Sequence, residues 1–330
     1  MKRIGVLGAG TWGMALARVL ANKEYDVTVW SALPQEVREY AATRRHPNLP
    51  GMVIPDSIEF TEDIQQVCTG KDVLIFAVPS VFVRATAAKA KPYIRLGQII
   101  LDVAKGVEPG THMTMTQIIG DELQDPTVKL VAFSGPTHAE EVAKDLPTTI
   151  VAACEDLNVA EAIQELFLDT CMRVYTNNDV FGVELCGAMK NIMALAAGIA
   201  VGIGYGDNTK AAIITRGIAE ICRLGLAMGC KMETFLGLAG IGDLIVTATS
   251  VHSRNNRCGM LLGQGVPPKE AIAQIGMVVE GIHALPAAME LAEKYRVDMP
   301  IVAAVNAVVN EDAEVKSQVA ALMHRGQKSE

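Results

Sequence analysis

Lys190 and Asn191 lie in the most apolar helical stretch of the chain, residues 184–203, ELCGAMKNIMALAAGIAVGI. An ionised lysine in such surroundings costs on the order of several kcal/mol unless it is paired, or else its pKa falls. Either state suits proton transfer. At helical spacing Gly187 precedes Lys190 by one turn, and Ala194 and Ala197 follow it on the same side, so small residues leave the lysine's face open. The helix alone is equally compatible with a lysine that snorkels to water or meets a structural carboxylate such as Glu184.

Four other polar clusters have types and spacings suited to a ligand. Lys105, in DVAKGVEP (102–109), follows a predicted strand and so falls at the carboxyl edge of a sheet, where a lysine can hold a substrate or polarise a carbonyl, or is a solvated loop lysine. In SGPTHAEE (134–141) a glycine-proline turn into a helix can lay backbone amides against a ligand; His138 reads as structural or exposed rather than catalytic. GLAGIGDLIVT (237–247) places Thr247 one turn after Asp243; Asp243 is either a helix cap or, facing Lys190, a carboxylate that stabilises the ammonium. In SVHSRNNR (250–257), Arg254 with Asn255 can clamp a phosphate, or the segment is a solvated basic loop. Val278-Val279-Glu280-Gly281 adds a carboxylate beside a glycine, compatible with a ribose contact or with a helix start.

The elements that must position these residues begin with a strand at 2–8 running into Gly8-Ala9-Gly10-Thr11-Trp12-Gly13 and then a helix at 11–22. Glycines there allow a tight turn, close approach of backbone to a pyrophosphate, and close helix-strand packing, while the helix N-terminus attracts phosphate. The pattern predicts dinucleotide binding. A second strand, 25–30, is followed by Ser31-Ala32, where an acid would accept from the ribose 2′-hydroxyl of NAD. No acid stands there to repel a 2′-phosphate, and the nearest arginines are Arg38, Arg44 and Arg45, so NAD and NADP both remain open.

Further strands are predicted near 72–78, 98–103, 129–134, 147–153 and 172–176, with helices near 34–44, 80–91 and 156–168. This alternation implies βαβ units and a mostly parallel sheet. From about residue 178 only helices follow: 179–201, 208–228, 243–250, 256–264, 268–275, 281–295 (with Pro286 inside it), 300–310 and 312–324. The expected architecture is a doubly wound α/β domain of Rossmann type over 1–177 and an all-α domain over 178–330.

Composition narrows the function classes. The 330 residues are half hydrophobic, enough for two cores. A formal charge of −8 argues against nucleic acid or an anionic membrane surface as partner, though a small anion can be held by locally concentrated cations. Seven scattered cysteines show no zinc-type spacing and read as reduced core residues of a cytoplasm-like compartment; no metal site is expected. The N-terminus enters a strand at once, which predicts no signal peptide. The longest strongly apolar run, 192–203, is too short to span a bilayer, and no integral membrane segment is expected.

Taken together, GAGTWG, AKGVE, SGPTHAEE, ELCGAMKN, GYGDNTKAAIITRG, GIGDLIVT and HSRN occur in one order along residues 2–325, and the set strongly resembles the bacterial type of NAD(P)-dependent glycerol-3-phosphate dehydrogenase. The resemblance implies reversible reduction of dihydroxyacetone phosphate to sn-glycerol 3-phosphate for phospholipid synthesis, with NAD or NADP as cofactor. The Ala/Gly/Val-rich helices of the second half suit a dimer interface, and a homodimer is the expected assembly. The resemblance also implies site roles. Lys190 is the proton donor and acceptor, and Lys105 contacts cofactor and substrate. Gly135, Thr137, Asp243, Thr247, Ser253, Arg254 and Asn255 hold the substrate. The cofactor meets Gly8, Gly10, Thr11, Trp12, Gly13, Ser31, Ala139, Val278, Glu280 and also Arg254. Ser31-Ala32 departs from the basic residues of NADP-using relatives. The rival readings are a related two-domain dehydrogenase of a hydroxyacyl or sugar-acid substrate, for which HSRN and GDLIVT would lack a purpose, and a dinucleotide sensor without turnover.

Overall fold

The computed structural model describes residues 1–326. Two compact units emerge, one made of 1–105 with 113–184, the other of 106–112 with the described residues from 185 on. The change of sequence character at 177/178 precedes this division by a few residues, because the helix beginning at Val180 runs on without a break into the second unit.

The first unit is an eight-stranded sheet. Its strands are β1 (Arg3–Leu7), β2 (Asp26–Trp30), β3 (Glu59–Thr61), β4 (Val73–Phe76), β5 (Ile99–Asp102), β6 (Lys129–Ser134), β7 (Thr148–Ala153) and β8 (Met172–Asn177), in the order β3-β2-β1-β4-β5-β6-β7-β8. Every pair is parallel except β6 with β7. Side chains alternate between two apolar layers: Ile4, Val6, Val73 and Ile75 enter one, Leu7, Leu74, Phe76 and Ile100 the other. This is the period-two consequence of a strand covered on both faces. The covering helices are α1 (Thr11–Ala21), α2 (Pro34–Thr43), α3 (Ile64–Cys68), α4 (Val83–Ala90), α5 (Met115–Leu123), α6 (Ala139–Val142) and α7 (Leu157–Leu166). Strand order reverses at β1, which puts the glycine turn at a topological switch point. The short elements β3 and α3 escape periodicity because they present too few residues, whereas α6 is the helix expected after the glycine-proline turn at 135–136. The helix α5 was also not anticipated, although its Thr114/Gln117 capping box is a sequence signal.

The second unit is helical: α8 (Val180–Ile203), α9 (Asp207–Ala227), α10 (Met232–Leu236), α11 (Asp243–Thr249), α12 (Arg254–Gly263), α13 (Pro268–Ile275), α14 (Glu280–Tyr295), α15 (Pro300–Asn310) and α16 (Val315–Met323), with a π-helical turn at Leu238–Gly242 leading directly into α11. Pro268 and Pro300 open their helices as expected, and Pro286 is accommodated inside a continuous α14. By length and hydropathy α8 could cross a membrane, more than the 12-residue run suggested, but 83% of its most apolar window is buried inside the protein. Residues 182–200 are buried without exception, as befits a core helix.

Helix α12 lies against α8 with backbones in contact. A Cβ added at Gly198 would come 2.1 Å from the Asn256 carbonyl oxygen, and one at Gly259 would come 2.2 Å from that of Leu195; Gly202 and Gly263 repeat the arrangement one turn on. Side-chain-free surfaces on both helices allow this approach, and it sets where the first turn of α12 falls along α8.

Candidate functional site

In the first unit the glycine turn has the geometry of a phosphate cradle. Gly8 adopts φ +122°, and a Cβ there would strike the Ala77 carbonyl at 2.6 Å; one at Gly13 would strike Gly8 O at 2.3 Å. Gly10, the N-cap of α1, faces open space, with no protein atom within 4 Å of an added Cβ. The first and last glycines are thus needed for close packing, and the middle one leaves room for a ligand at a helix N-terminus. This fits a dinucleotide. The turn is also tied down: Gly8 N donates to Trp30 O, and His46 Nε2 lies 3.2 Å from Ala9 O. Because His46 Nδ1 accepts from Asn48 N, the proton sits on Nε2, which donates to Ala9. Burial lowers the His46 pKa, against smaller opposing effects of the Ala9 bond, Glu36 and Glu39, and keeps the ring neutral.

Contrary to the expectation from Ser31-Ala32, the end of β2 does carry an acid. Ser31 is buried, and its hydroxyl donates to Glu36 Oε2 at 2.6 Å while accepting from Leu33 N. An acid is therefore present at the end of β2. It comes from the first turn of α2 rather than from the strand's own continuation, which is why spacing along the chain did not show it.

Lys105 follows β5, and its ammonium donates to Gly135 O at 3.2 Å; Thr137 Oγ1 donates to the same carbonyl at 3.1 Å. The structure thus joins Lys105, Gly135 and Thr137 at the carboxyl ends of β5 and β6, with Ala139 opening α6 just beyond. Ser134 Oγ, at the end of β6, is buried with no hydrogen-bond partner among the described residues.

In the second unit Lys190 is 6% exposed and its ammonium donates to Asp243 Oδ1 at 2.5 Å and Thr247 Oγ1 at 2.6 Å. Thr247 in turn donates to Asp243 O at 2.7 Å, so its hydroxyl hydrogen is engaged and its lone pairs face the lysine. Asp243 is 1% exposed and is the first residue of α11, whose N-cap is Gly242. Of the two partners considered for Lys190, the structure selects Asp243. Glu184 instead accepts from Thr114 Oγ1, Thr116 N and Thr116 Oγ1 at the start of α5, and burial raises its pKa against those bonds. Such a paired, desolvated ammonium is equipped to stabilise negative charge on an oxygen and to give it a proton.

A chain of amides surrounds this centre. Asn191 Nδ2 donates to Gly187 O, Asn255 Nδ2 donates to Asn191 Oδ1 at 3.0 Å, and Gly281 N donates to Asn255 Oδ1 at 2.9 Å. The starts of α12 and α14 are thereby locked to the middle of α8. Ser253 caps α12, accepting from Asn256 N, and Asn256 ties back to Ala248 O at the end of α11. Arg254, the first residue of α12, is half-buried and has no ion pair or side-chain hydrogen bond among the described residues. A guanidinium at a helix N-terminus is suited to an anion.

Sequence comparison then decides the family. The profiles of NAD-dependent glycerol-3-phosphate dehydrogenase match residues 3–160 (N-terminus) and 179–320 (C-terminus). The chain belongs to this family. It is 63% identical to glycerol-3-phosphate dehydrogenase (NAD(P)+) 2 of Lactobacillus delbrueckii subsp. bulgaricus, covering 100% of this chain and 99% of the relative. The corresponding enzyme of Agathobacter rectalis is 51% identical over 100% and 98%. Among solved structures, the glycerol-3-phosphate dehydrogenase of Coxiella burnetii superposes with a TM-score of 0.94 at 37% identity, covering 98% and 99% of the two chains. A ketopantoate reductase of Ralstonia eutropha shares the fold at a TM-score of 0.65 and 16% identity.

Within this dehydrogenase framework, the residues singled out from sequence fall into separate groups. Gly8, Gly10, Thr11, Trp12, Gly13 and Ser31 gather around the β1 turn; Lys105, Gly135, Thr137 and Ala139 gather at the ends of β5 and β6. Lys190, Asp243 and Thr247 form one cluster, and Ser253, Arg254, Asn255, Val278 and Glu280 lie at the starts of α12 and α14. Three residues were missed as participants. Asn191 was visible only as a polar neighbour of Lys190, His46 had no motif, and Glu36 stood five residues beyond the expected position.

Proposed function

We propose that this chain catalyses the reversible NAD(P)H-dependent reduction of dihydroxyacetone phosphate to sn-glycerol 3-phosphate, with Lys190 moving the proton. When bound, the reduced nicotinamide supplies the hydride. Lys190, kept as an ammonium by Asp243 and Thr247, donates a hydrogen bond to the ketone oxygen as negative charge grows there, then transfers its proton; the reverse direction uses the same group as acceptor. Arg254 and Ser253 at the start of α12 hold the substrate phosphate. Asn255, whose amide bridges Asn191 and Gly281, orients that helix start as well as completing the clamp. Fixing the phosphate converts binding energy into orientation of the carbonyl. Lys105, Gly135 and Thr137 complete the substrate contacts. Gly8, Gly10, Thr11, Trp12, Gly13, Ser31, Ala139, Val278 and Glu280 hold the cofactor, together with Lys105 and Arg254. We assign the enzyme to the cytoplasm, in keeping with its seven free thiols, and to a homodimer through its Ala/Gly/Val-rich second half.

The buried Lys190–Asp243–Thr247 cluster carries the reading, since neither a sensor nor a scaffold needs a desolvated ammonium. Loss of reduced-nicotinamide absorbance on adding dihydroxyacetone phosphate is expected. Lys190→Met is expected to lower kcat by about 10²-fold or more, the usual scale for a general acid, with cofactor affinity nearly unchanged. Normal kcat in that variant, or no turnover by the cofactor-bound parent, would overturn the proposal.

A further inference from the structure

The carboxyl end of β2 carries a feature that the dinucleotide reading does not use. Ser31 stands one residue after Trp30, whose carbonyl accepts from Gly8 N, so Ser31 flanks the glycine turn directly. Its hydroxyl draws in the Glu36 carboxylate at 2.6 Å, and the α2 N-terminus, where Glu36 occupies the first turn, favours that negative charge. In dinucleotide folds this end of β2 receives the adenosine ribose, where a carboxylate accepts from a 2′-hydroxyl and an arginine accommodates a 2′-phosphate. Of the three nearest arginines Arg45 is exposed, and the other two have contacts of their own. Arg44 donates to Ile58 O at 2.8 Å and lies 3.6 Å from Asp56, while Arg38 pairs with Glu62 at 3.7 Å.

We propose that Glu36, held by Ser31, is the residue that sets cofactor choice, accepting from the ribose 2′-hydroxyl of NAD(H) and repelling the 2′-phosphate of NADP(H). The proposal rests on the assignment of the β1 turn to a dinucleotide. It narrows the pair NAD or NADP to NAD(H) for this chain.

The test uses ligands that lack nicotinamide and cannot turn over. Calorimetric titration of the full chain with ADP-ribose and with 2′-phospho-ADP-ribose should give at least about tenfold tighter binding of the former, because a carboxylate and a dianionic phosphate cannot share one site without repulsion. Glu36→Gln keeps an acceptor for Ser31 and removes the charge, and it should shrink that ratio by about tenfold, mainly by tightening 2′-phospho-ADP-ribose. Ser31→Ala, which frees the carboxylate without neutralising it, should shrink it less. Equal binding of the two ligands to the parent, or an unchanged ratio in Glu36→Gln, would overturn the assignment and leave the dinucleotide site standing. Failure of the parent to bind either ligand would instead overturn the dinucleotide reading itself. Should Glu36→Gln not fold, the parent's ratio together with Ser31→Ala decides.

Discussion

Asp243→Asn removes one charge and little else. The side chain keeps its volume and its Oδ1 acceptor, but Lys190, 2.5 Å away, loses its counter-ion in a place where the two side chains are 7% and 1% exposed. Removing one partner of a buried ion pair costs about 3–5 kcal/mol, because the remaining charge stays desolvated, whereas replacing both by apolar groups of similar volume is often neutral. For a domain of roughly 150–250 residues each kcal/mol moves the melting temperature by about 2–4 °C. Asp243→Asn should therefore lower the melting of the helical unit by roughly 6–20 °C. The double variant Lys190→Met, Asp243→Leu should regain most of that loss and yet be inactive. Differential scanning calorimetry beside steady-state kinetics separates the two effects: the single variant loses stability and at least about 10²-fold in kcat, the double variant loses kcat alone. A single variant melting within about 2 °C of the parent, or a double variant less stable than the single, would refute the view that the ammonium is a desolvated charge held by Asp243.

Two further outcomes concern pH. Glu220 is 2% exposed and accepts from Ile301 N at 2.9 Å at the start of α15, and burial lifts its pKa from 4.5 to about 7. The folded state thus binds the proton more tightly than the unfolded one, so stability should fall by about 3 kcal/mol as pH rises from below 4.5 to above 7. Glu220→Gln should flatten that slope in urea titrations at pH 5 and 8; a parent already flat would contradict it. His46 has the opposite sign: its pKa is lowered by burial, so its contribution is complete above the unfolded value near 6.5 and is lost as pH falls through it, by at most about 1.4 kcal/mol per pH unit. His46→Gln should remove this acid limb in the sheet unit and weaken ADP-ribose binding, which calorimetry at pH 7.5 and 5.5 would check.

Much of the candidate site was legible because its signals are local. A glycine turn between strand and helix needs only six residues to be recognised, and its backbone geometry appears as predicted, with Gly8 at positive φ and Gly10 open. Lys190 drew notice through the apolar residues on either side of it. Asp243 and Thr247 were read as a one-turn pair on a helix, and they do meet the ammonium together. Where the reading went astray, the cause was a contact made by folding. Glu36 reaches Ser31 because α2 turns its first residues back over the end of β2. Asn255, read as a phosphate ligand, gains a further task on folding: its amide joins Asn191 to Gly281 across helices 64 and 26 residues distant in the chain.

Patterning and turn chemistry by themselves determined the alternating strands and helices, the parallel sheet, the phosphate-suited turn and an apolar helix bearing one lysine. These follow from interactions within a few residues, which a linear sequence displays directly. Tertiary structure alone decided which carboxylate neutralises Lys190, Asp243 and not Glu184, and which acid stands beside the glycine turn. A buried charge is satisfied by whichever partner the packing delivers to within about 3 Å, and here that partner comes from α11, whose Asp243 and Thr247 both meet the Lys190 ammonium, while glycines at 198, 202, 259 and 263 let the neighbouring α12 and α8 touch backbone to backbone.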